Sequence, residues 1–444
     1  MTEKQNSAVL RQFLLGIGGA MIASQESVDS VKSTLARVAD AYAVRDTEFI
    51  VLPTVVLVQV DGVIQGRGMV RDGSVVAFRF DQIAALYKLL KSAERAAIDP
   101  ADGIRELNEI GAQRPRFGWP VRTLGHAILT AALSLLLYPS WEGMLIAFGL
   151  GLLIGLLKLV RSPALQLIFP VVAAFVCALI VFWISEQLGL GNPLVMLIAP
   201  LITFLPGGML TTGTRELATG QAVSGSARLV QGMVALALLS FGIVAAGAVM
   251  GVADYRYEAL SVDRFPWWAS VVGIALLAIG NYLHFSAPGA TLGWVVLALV
   301  VASLGQSLGG ALLGPTLGGF TGALVVTPFV LWVESLRRGA PAQLTFLPAF
   351  WLLVPGASSL IGLTEAVGAG STFDGFWGAL SGILGIALGV LIGTAVYRAV
   401  RSGARGIENF TVELPAALAE PDRGRLWRRL IPGTPDSLWR NGSR

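Results

Sequence analysis

The stretch FLPGGMLTTGTRELATG at 204–220 sets Pro206, Gly207 and Gly208 into a long apolar run, then adds Thr211, Thr212, Thr214, Arg215 and Glu216. Proline supplies no N–H and clashes with the preceding helical turn, while glycine lowers the cost of unusual backbone angles. Together they can end one half-helix and start another. The start of a half-helix carries positive dipole character and free N–H groups, which suit a carboxylate. The threonine hydroxyls can bond an amino group or a small polar side chain, and Glu216 can take up a proton or pair with a cation. In hydrocarbon an unpaired backbone group is costly, so such a break must face protein or a wet cavity.

A second stretch repeats the pattern. PGGMLTTGTRE at 206–216 and PGASSLIGLTE at 355–365 share P-G-x5-G-x2-E without a gap, so that Pro206, Gly207, Gly213 and Glu216 match Pro355, Gly356, Gly362 and Glu365. The candidate substrate-binding residues are therefore Pro206, Gly207, Gly208, Thr211, Thr212, Thr214, Pro355, Gly356, Ser358 and Ser359. Glu216 and Glu365 are the candidate coupling carboxylates. Plainer readings stand beside these: proline and glycine can kink a helix only for packing. Arg215 can be an interface anchor with Glu216 as its partner, and Glu365 a solvated outer-loop residue. His126, beside Arg122 near the start of an apolar run, has a structural or interfacial default and a proton relay as its alternative.

The chain that must position these groups is 54% hydrophobic and 14% charged, with a mean hydropathy of +0.70. A soluble globular chain has about a quarter charged residues, so this is a polytopic membrane protein. Cys177 is the one cysteine, histidine occurs twice, and HExxH, GxSxG and Walker motifs are absent. Disulfide, cysteine-metal, serine-hydrolase and ATP-driven chemistry are thus unsupported, and the expectation is a non-enzyme without cofactor, metal or nucleic-acid partner. The first 20 residues do not have the order of a signal peptide.

Residues 1–118 read as a small cytoplasmic α+β domain. RQFLLGIGGAMIASQ and SVDSVKSTLARVADAYAV are amphipathic helices, and Val28, Val31, Leu35, Val38 and Ala39 share one face. The runs FIVLPTVVLVQV, VIQGRGMV and SVVAFRF are strands, punctuated by Asp61-Gly62 and Asp72-Gly73. A helix follows with Asp81 as its N-cap, and the first helix is free to lean on the membrane. From Trp119 onward, ten apolar stretches approach the ~20-residue bilayer length: 119–138, 141–160, 163–185, 193–211, 224–252, 266–285, 288–306, 309–333, 344–362 and 373–397. The seventh and eighth are separated only by SLGG, and Gly310, Gly314, Gly318 and Gly322 form a packing stripe.

Arg114, Arg116, Lys158, Arg161, Arg215, Arg228, Arg337, Arg338, Arg398 and Arg401 fall at one set of ends, and only Arg256 and Arg264 at the other. The positive-inside rule then puts both termini in the cytoplasm and requires an even span count. Two five-span sets, 119–252 and 266–397, must enter the membrane from opposite sides, which is an inverted repeat. The fifth spans carry Gly247/Gly251 and Gly385/Gly389/Gly393 at a spacing that admits close helix packing. Residues 403–444 read as a loose cytoplasmic tail.

An α+β domain followed by five spans and five more, with breaks in FLPGGMLTTGTRELATG and FLPAFWLLVPGASSLIGLTEAVG, resembles the threonine/serine exporter family. Its members occur as fused chains or as split subunits. The resemblance covers nearly the whole chain except the tail. The family's R-V-E-like pattern in the N-terminal helix survives only as the valine of Ser30-Val31-Lys32. The resemblance implies a multi-pass protein of the bacterial inner membrane that exports threonine- and serine-type amino acids by alternating access, driven by a proton gradient or the membrane potential. It also implies that Pro206, Gly207, Thr211, Thr212, Glu216, Pro355, Gly356 and Glu365 lie in the translocation region. Alternatives are dicarboxylate export, as in split members, and a channel or scaffold whose soluble domain binds a partner. A homo-oligomer is left open.

Overall fold

In the computed structural model, residues 3–406 are described except 45–46, 61, 69, 72–73, 76, 138, 161–162, 190–192, 253–266, 354–359, 362 and 365–373. The chain opens with α1 (Glu3–Ala23) and α2 (Val28–Ala41). Strands β1 (Thr47–Leu52), β2 (Val55–Val60) and β3 (Val63–Gly68) form an antiparallel meander, in which Thr47 pairs with Val60 and Val55 with Gly68. A short ladder of β4 (Val70–Arg71) and β5 (Ser74–Val75) precedes α3 (Phe80–Ala93) and α4 (Pro100–Ala112).

The five apolar residues read onto one face of α2 are all buried. They meet Val56, Val58 and Val60, the inward set of β2, together with Phe13, Leu14 and Ile17 of α1. Those three α1 side chains are fully buried, so α1 is the spine of this layer rather than a helix resting on lipid. At about 1.5–3 kcal/mol for each large apolar side chain taken out of water, that position is strongly preferred. Two local expectations shift by a few residues. The first strand run is two strands, because Pro53-Thr54 turns the chain between β1 and β2. Arg79, not Asp81, is the N-cap of α3: the Gln82 side chain accepts from Arg79 N at 3.0 Å, while Asp81 pairs with the Arg79 guanidinium.

The described residues of the ten apolar stretches fall mainly on helices: α5 (Trp119–Leu137), α6 (Trp141–Leu157), α7 (Pro163–Leu188), α8 (Pro193–Leu201) with α9 (Gly207–Ala218), α10 (Ala222–Met250), α11 (Trp267–His284), α12 (Leu292–Leu313), α13 (Pro315–Ser335), α14 (Ala342–Leu353) and α15 (Asp374–Gly406). Among the described residues, six helices are long and apolar enough to cross a membrane, and seven when the bent α8–α9 pair is taken as one span. SLGG lies inside α12. The chain turns instead at Gly314, whose φ of +94 separates α12 from α13, so the four-glycine stripe is divided between two helices. Gly251 is the left-handed cap of α10 rather than a packing residue, with φ +70. Residues 1–397 are one compact unit; residues 398–444 are another, whose described part is the end of α15.

Candidate functional site at a broken helix

Helix α8 passes through a 3₁₀ turn, Ile202–Phe204, and stops at Leu205. The chain restarts as α9 at Gly207 after a bend of 62°. Pro206 is the N-cap of α9, and its carbonyl accepts from Leu210 N at 2.9 Å. The break thus lies at the proline-glycine pair, where the missing N–H costs least. Pro206 and Gly207 are buried, whereas a side chain added at Gly208 would meet open space. Thr211 is buried, and its hydroxyl has no hydrogen-bond partner among the described residues. Thr212 is half-buried, and Thr214 spends its hydroxyl on Leu210 O at 2.9 Å. Pro355, Gly356, Ser358, Ser359 and Glu365 lie outside the described residues.

The far end of α9 has a partner that sequence reasoning missed. A Cβ on Gly213 would lie 2.9 Å from Gly225 O, so this close approach of α9 and α10 depends on glycine. It places Arg228 of α10 against Glu216, with Nε–Oε2 3.0 Å apart and the carboxylate fully buried. This is an ion pair without the alignment of a hydrogen bond. The other carboxylate oxygen accepts from Val28 N at 2.9 Å, in the first turn of α2. A carboxylate is favoured there by the helix dipole. Around it, Arg215 donates to Ser27 Oγ, Arg228 donates to Glu26 O at 3.1 Å, and Thr219 donates to Asp29 Oδ2 at 2.9 Å.

The end of α9 is therefore clamped to the α1–α2 loop of the N-terminal layer. The same layer reaches two other helices. Gln343 of α14 donates to Ser24 O at 3.0 Å, and Phe80 of α3 stacks on Phe285, just past α11, with ring centroids 4.9 Å apart. Beside the clamp, Tyr87 donates to the Glu26 carboxylate. Burial raises the pKa of Glu26 above its ordinary 4.5, against the pull of Tyr87, Ser30, Arg215 and Arg228. Burial also pushes Tyr87 well above its ordinary 10.0, with Glu26 adding to the shift.

On the near side of the break, Thr203 belongs to a second polar cluster. Lys158, the C-cap of α6, donates to Thr203 Oγ1 at 2.6 Å and lies 3.4 Å from His126 Nε2 of α5. His126 is fully buried, and its ring is 4.8 Å from that of His284 on α11. Glycine again permits the approach: a Cβ on Gly125 would lie 2.6 Å from His284 N, and one on Gly280 2.9 Å from Gly125 O. The sequence signal was present. These are the only two histidines, 158 positions apart, and Lys158 is one of five lysines.

A family model for threonine/serine exporters, ThrE, matches residues 12–250, which cover the N-terminal layer, the break and the clamp. The chain belongs to the threonine/serine exporter family. A threonine/serine exporter of Corynebacterium glutamicum is 24% identical over 432 residues, covering 90% of this chain and 85% of that protein. An uncharacterized protein of Schizosaccharomyces pombe is 26% identical over 184 residues, 39% of this chain and 22% of its own length. No solved structure matches. The apolar helices and the family together make this a membrane-embedded, multi-pass transport protein with a small-molecule substrate.

Proposed function

We propose that the protein is a secondary exporter of threonine- and serine-type amino acids that works by alternating access, driven by a proton gradient or the membrane potential. The observation that carries this reading is the break at Pro206, bent by 62° in the family-matched half. A discontinuous helix near the bilayer midplane is where secondary transporters build their sites. Thr211, with its buried unpartnered hydroxyl, lies one turn beyond the break and suits a polar ligand.

The reading includes ten spans in two inverted repeats, with both termini and the α+β layer in the cytoplasm. Two packing relations favour the repeat. Gly242 of α10 rests on Val171 of α7, and Gly393 of α15 rests on Leu324 of α13, so the fifth span meets the third in each half. Charge favours the orientation: Arg215 and Arg228 lie against the α1–α2 loop of the N-terminal layer. Glu216 then serves the clamp, tying that layer to the moving half-helix, and Glu365 keeps the coupling role proposed for it.

Counterflow in proteoliposomes tests the function. Preloaded unlabelled threonine should accelerate uptake of labelled threonine. Equal uptake with and without preloading, across threonine, serine and succinate, would reject a carrier and favour a channel or scaffold. In cells fed threonine dipeptides, loss of the protein should raise intracellular threonine.

A further inference from the structure

Lys158, Thr203 and His126 share an electrostatic peculiarity. Among the described residues no carboxylate pairs with Lys158; every ion pair found there involves an arginine. Its ammonium is held by the Thr203 hydroxyl at 2.6 Å, by His126 at 3.4 Å and by the Phe204 ring, whose centroid is 4.8 Å from Nζ. All three are neutral or weak partners for a half-buried ammonium, and a cation drawn partly out of water is ordinarily met by a counter-charge.

The histidines present acceptors rather than donors to the cluster. His126 Nδ1 faces Gly151 O at 2.9 Å, and a carbonyl can only accept, so Nδ1 bears the proton. His284 Nδ1 likewise donates to Arg122 O at 2.9 Å, and Arg122 Nε donates back to His284 O at 3.3 Å. Both tautomers are thus fixed by backbone. One turn before His284, Asn281 Nδ2 is buried with no acceptor among the described residues. The cluster therefore holds a lysine and a spare amide donor, and the described residues supply it with no anion. A carboxylate would complete it.

We propose that Lys158, with Thr203, binds the carboxylate of the exported amino acid at the broken helix, while His126 Nε2 accepts from the ammonium and orients it. This rests on the export reading above. Lys158 supplies the charge, and Thr203, whose hydroxyl accepts from Lys158 and donates to His126 Nε2 at 3.2 Å, turns its O–H from that nitrogen onto the ligand. Thr203 is three residues before Pro206, inside the 3₁₀ turn, so ligand held there bears on the bend itself. That gives substrate a differential grip on two states of the helix, which a carrier requires.

The test uses the full chain in detergent, with Kd taken from ligand-dependent thermal stabilisation, for threonine, serine, threoninamide, succinate and inorganic phosphate. Threonine should stabilise the wild type and threoninamide, lacking the carboxylate, should not. Lys158→Gln should weaken threonine binding by roughly tenfold or more, the scale of a lost charge-assisted hydrogen bond. Lys158→Arg should recover part of it. Thr203→Val should weaken binding and Thr203→Ser should not, a comparison that decides the matter if Lys158→Gln fails to fold. Equal stabilisation by threoninamide, unchanged affinity in Lys158→Gln, phosphate as the sole stabilising ligand, or no stabilisation of the wild type by threonine or serine would each overturn the site. Stabilisation by succinate alone would overturn the amino-acid assignment. Binding that depends on Lys158, with no counterflow, would leave the site standing and remove the export reading instead.

Discussion

The two sides of the Pro206 break treat charge in opposite ways. Beyond it, Glu216 meets Arg228, and the ring of contacts from Arg215, Ser27, Glu26, Thr219 and Asp29 closes around the pair. Before it, Lys158 leans on a hydroxyl, an imidazole and an aromatic ring. A buried charge with its partner built in is a joint, because it needs nothing from solution. A half-buried charge that no described carboxylate meets is, on the binding proposal, an invitation to a partner from solution. The motif that first draws notice, with its adjacent arginine and glutamate, belongs to the joint; the less conspicuous threonine upstream belongs to the invitation.

The largest effect should come from breaking the joint. Glu216→Ala leaves Arg228 uncompensated with 12% of its side chain exposed and removes the acceptor for Val28 N. Breaking a buried pair in this way costs about 3–5 kcal/mol. The measurement is thermal or denaturant unfolding of the purified protein. The Glu216→Leu, Arg228→Met double variant should regain much of the loss, since apolar replacement of a whole buried pair is often neutral. If Glu216→Ala is tolerated with less than about 1 kcal/mol lost, the clamp is not the rigid link described here.

Next in size is overpacking at the invitation. Gly280→Val would drive a side chain into the Leu129 backbone and push α11 away from α5. Inserting methyl groups into a tight seam costs about 1–3 kcal/mol. It should also part the two imidazoles, so histidine chemical shifts would move as stability falls. Unchanged shifts with lowered stability would mean the seam does not hold the rings together. A smaller change, Ser27→Ala, removes both the N-cap of α2, which accepts from Ser30 N, and the acceptor for Arg215. Loss of such a cap costs about 1 kcal/mol, and limited proteolysis at the α1–α2 loop should speed up.

What the sequence made legible was everything carried by local pattern. The buried face of α2, the β2 alternation and the break at Pro206 all follow from periodicity or from the covalent peculiarities of proline. The turn between α12 and α13 was displaced from SLGG to Gly314-Pro315, where the backbone turns at φ +94 and the proline opens the next helix. Neither the joint nor the invitation was readable as such. Val28 and Glu216 are 188 positions apart, and the two histidines come together only through a close α5–α11 crossing. The coupling role read for Glu216 rested on residue type alone, and the sequence gives no sign that the α1–α2 loop covers this carboxylate.

The smallest expected effect lies within the joint, at Glu26. Burial raises its pKa, while Tyr87, Ser30, Arg215 and Arg228 all oppose the shift. Between its ordinary value of 4.5 and the raised folded value, the folded protein binds this proton more tightly than the unfolded chain does. The group's contribution to stability is therefore fully present below 4.5 and is lost as pH climbs through the folded value. Tyr87 stays out of this window, since its own shift is upward from 10.0. Glu26→Gln keeps an acceptor for the Tyr87 hydroxyl and removes the titration. The variant's melting temperature should fall less steeply than the wild type's as pH climbs from 4.5 through the raised folded value, with the curves converging at the acid end. Parallel curves would mean that the Glu26 carboxyl is solvated in the folded protein, and the joint would then be wetter than the clamp at Glu216 implies.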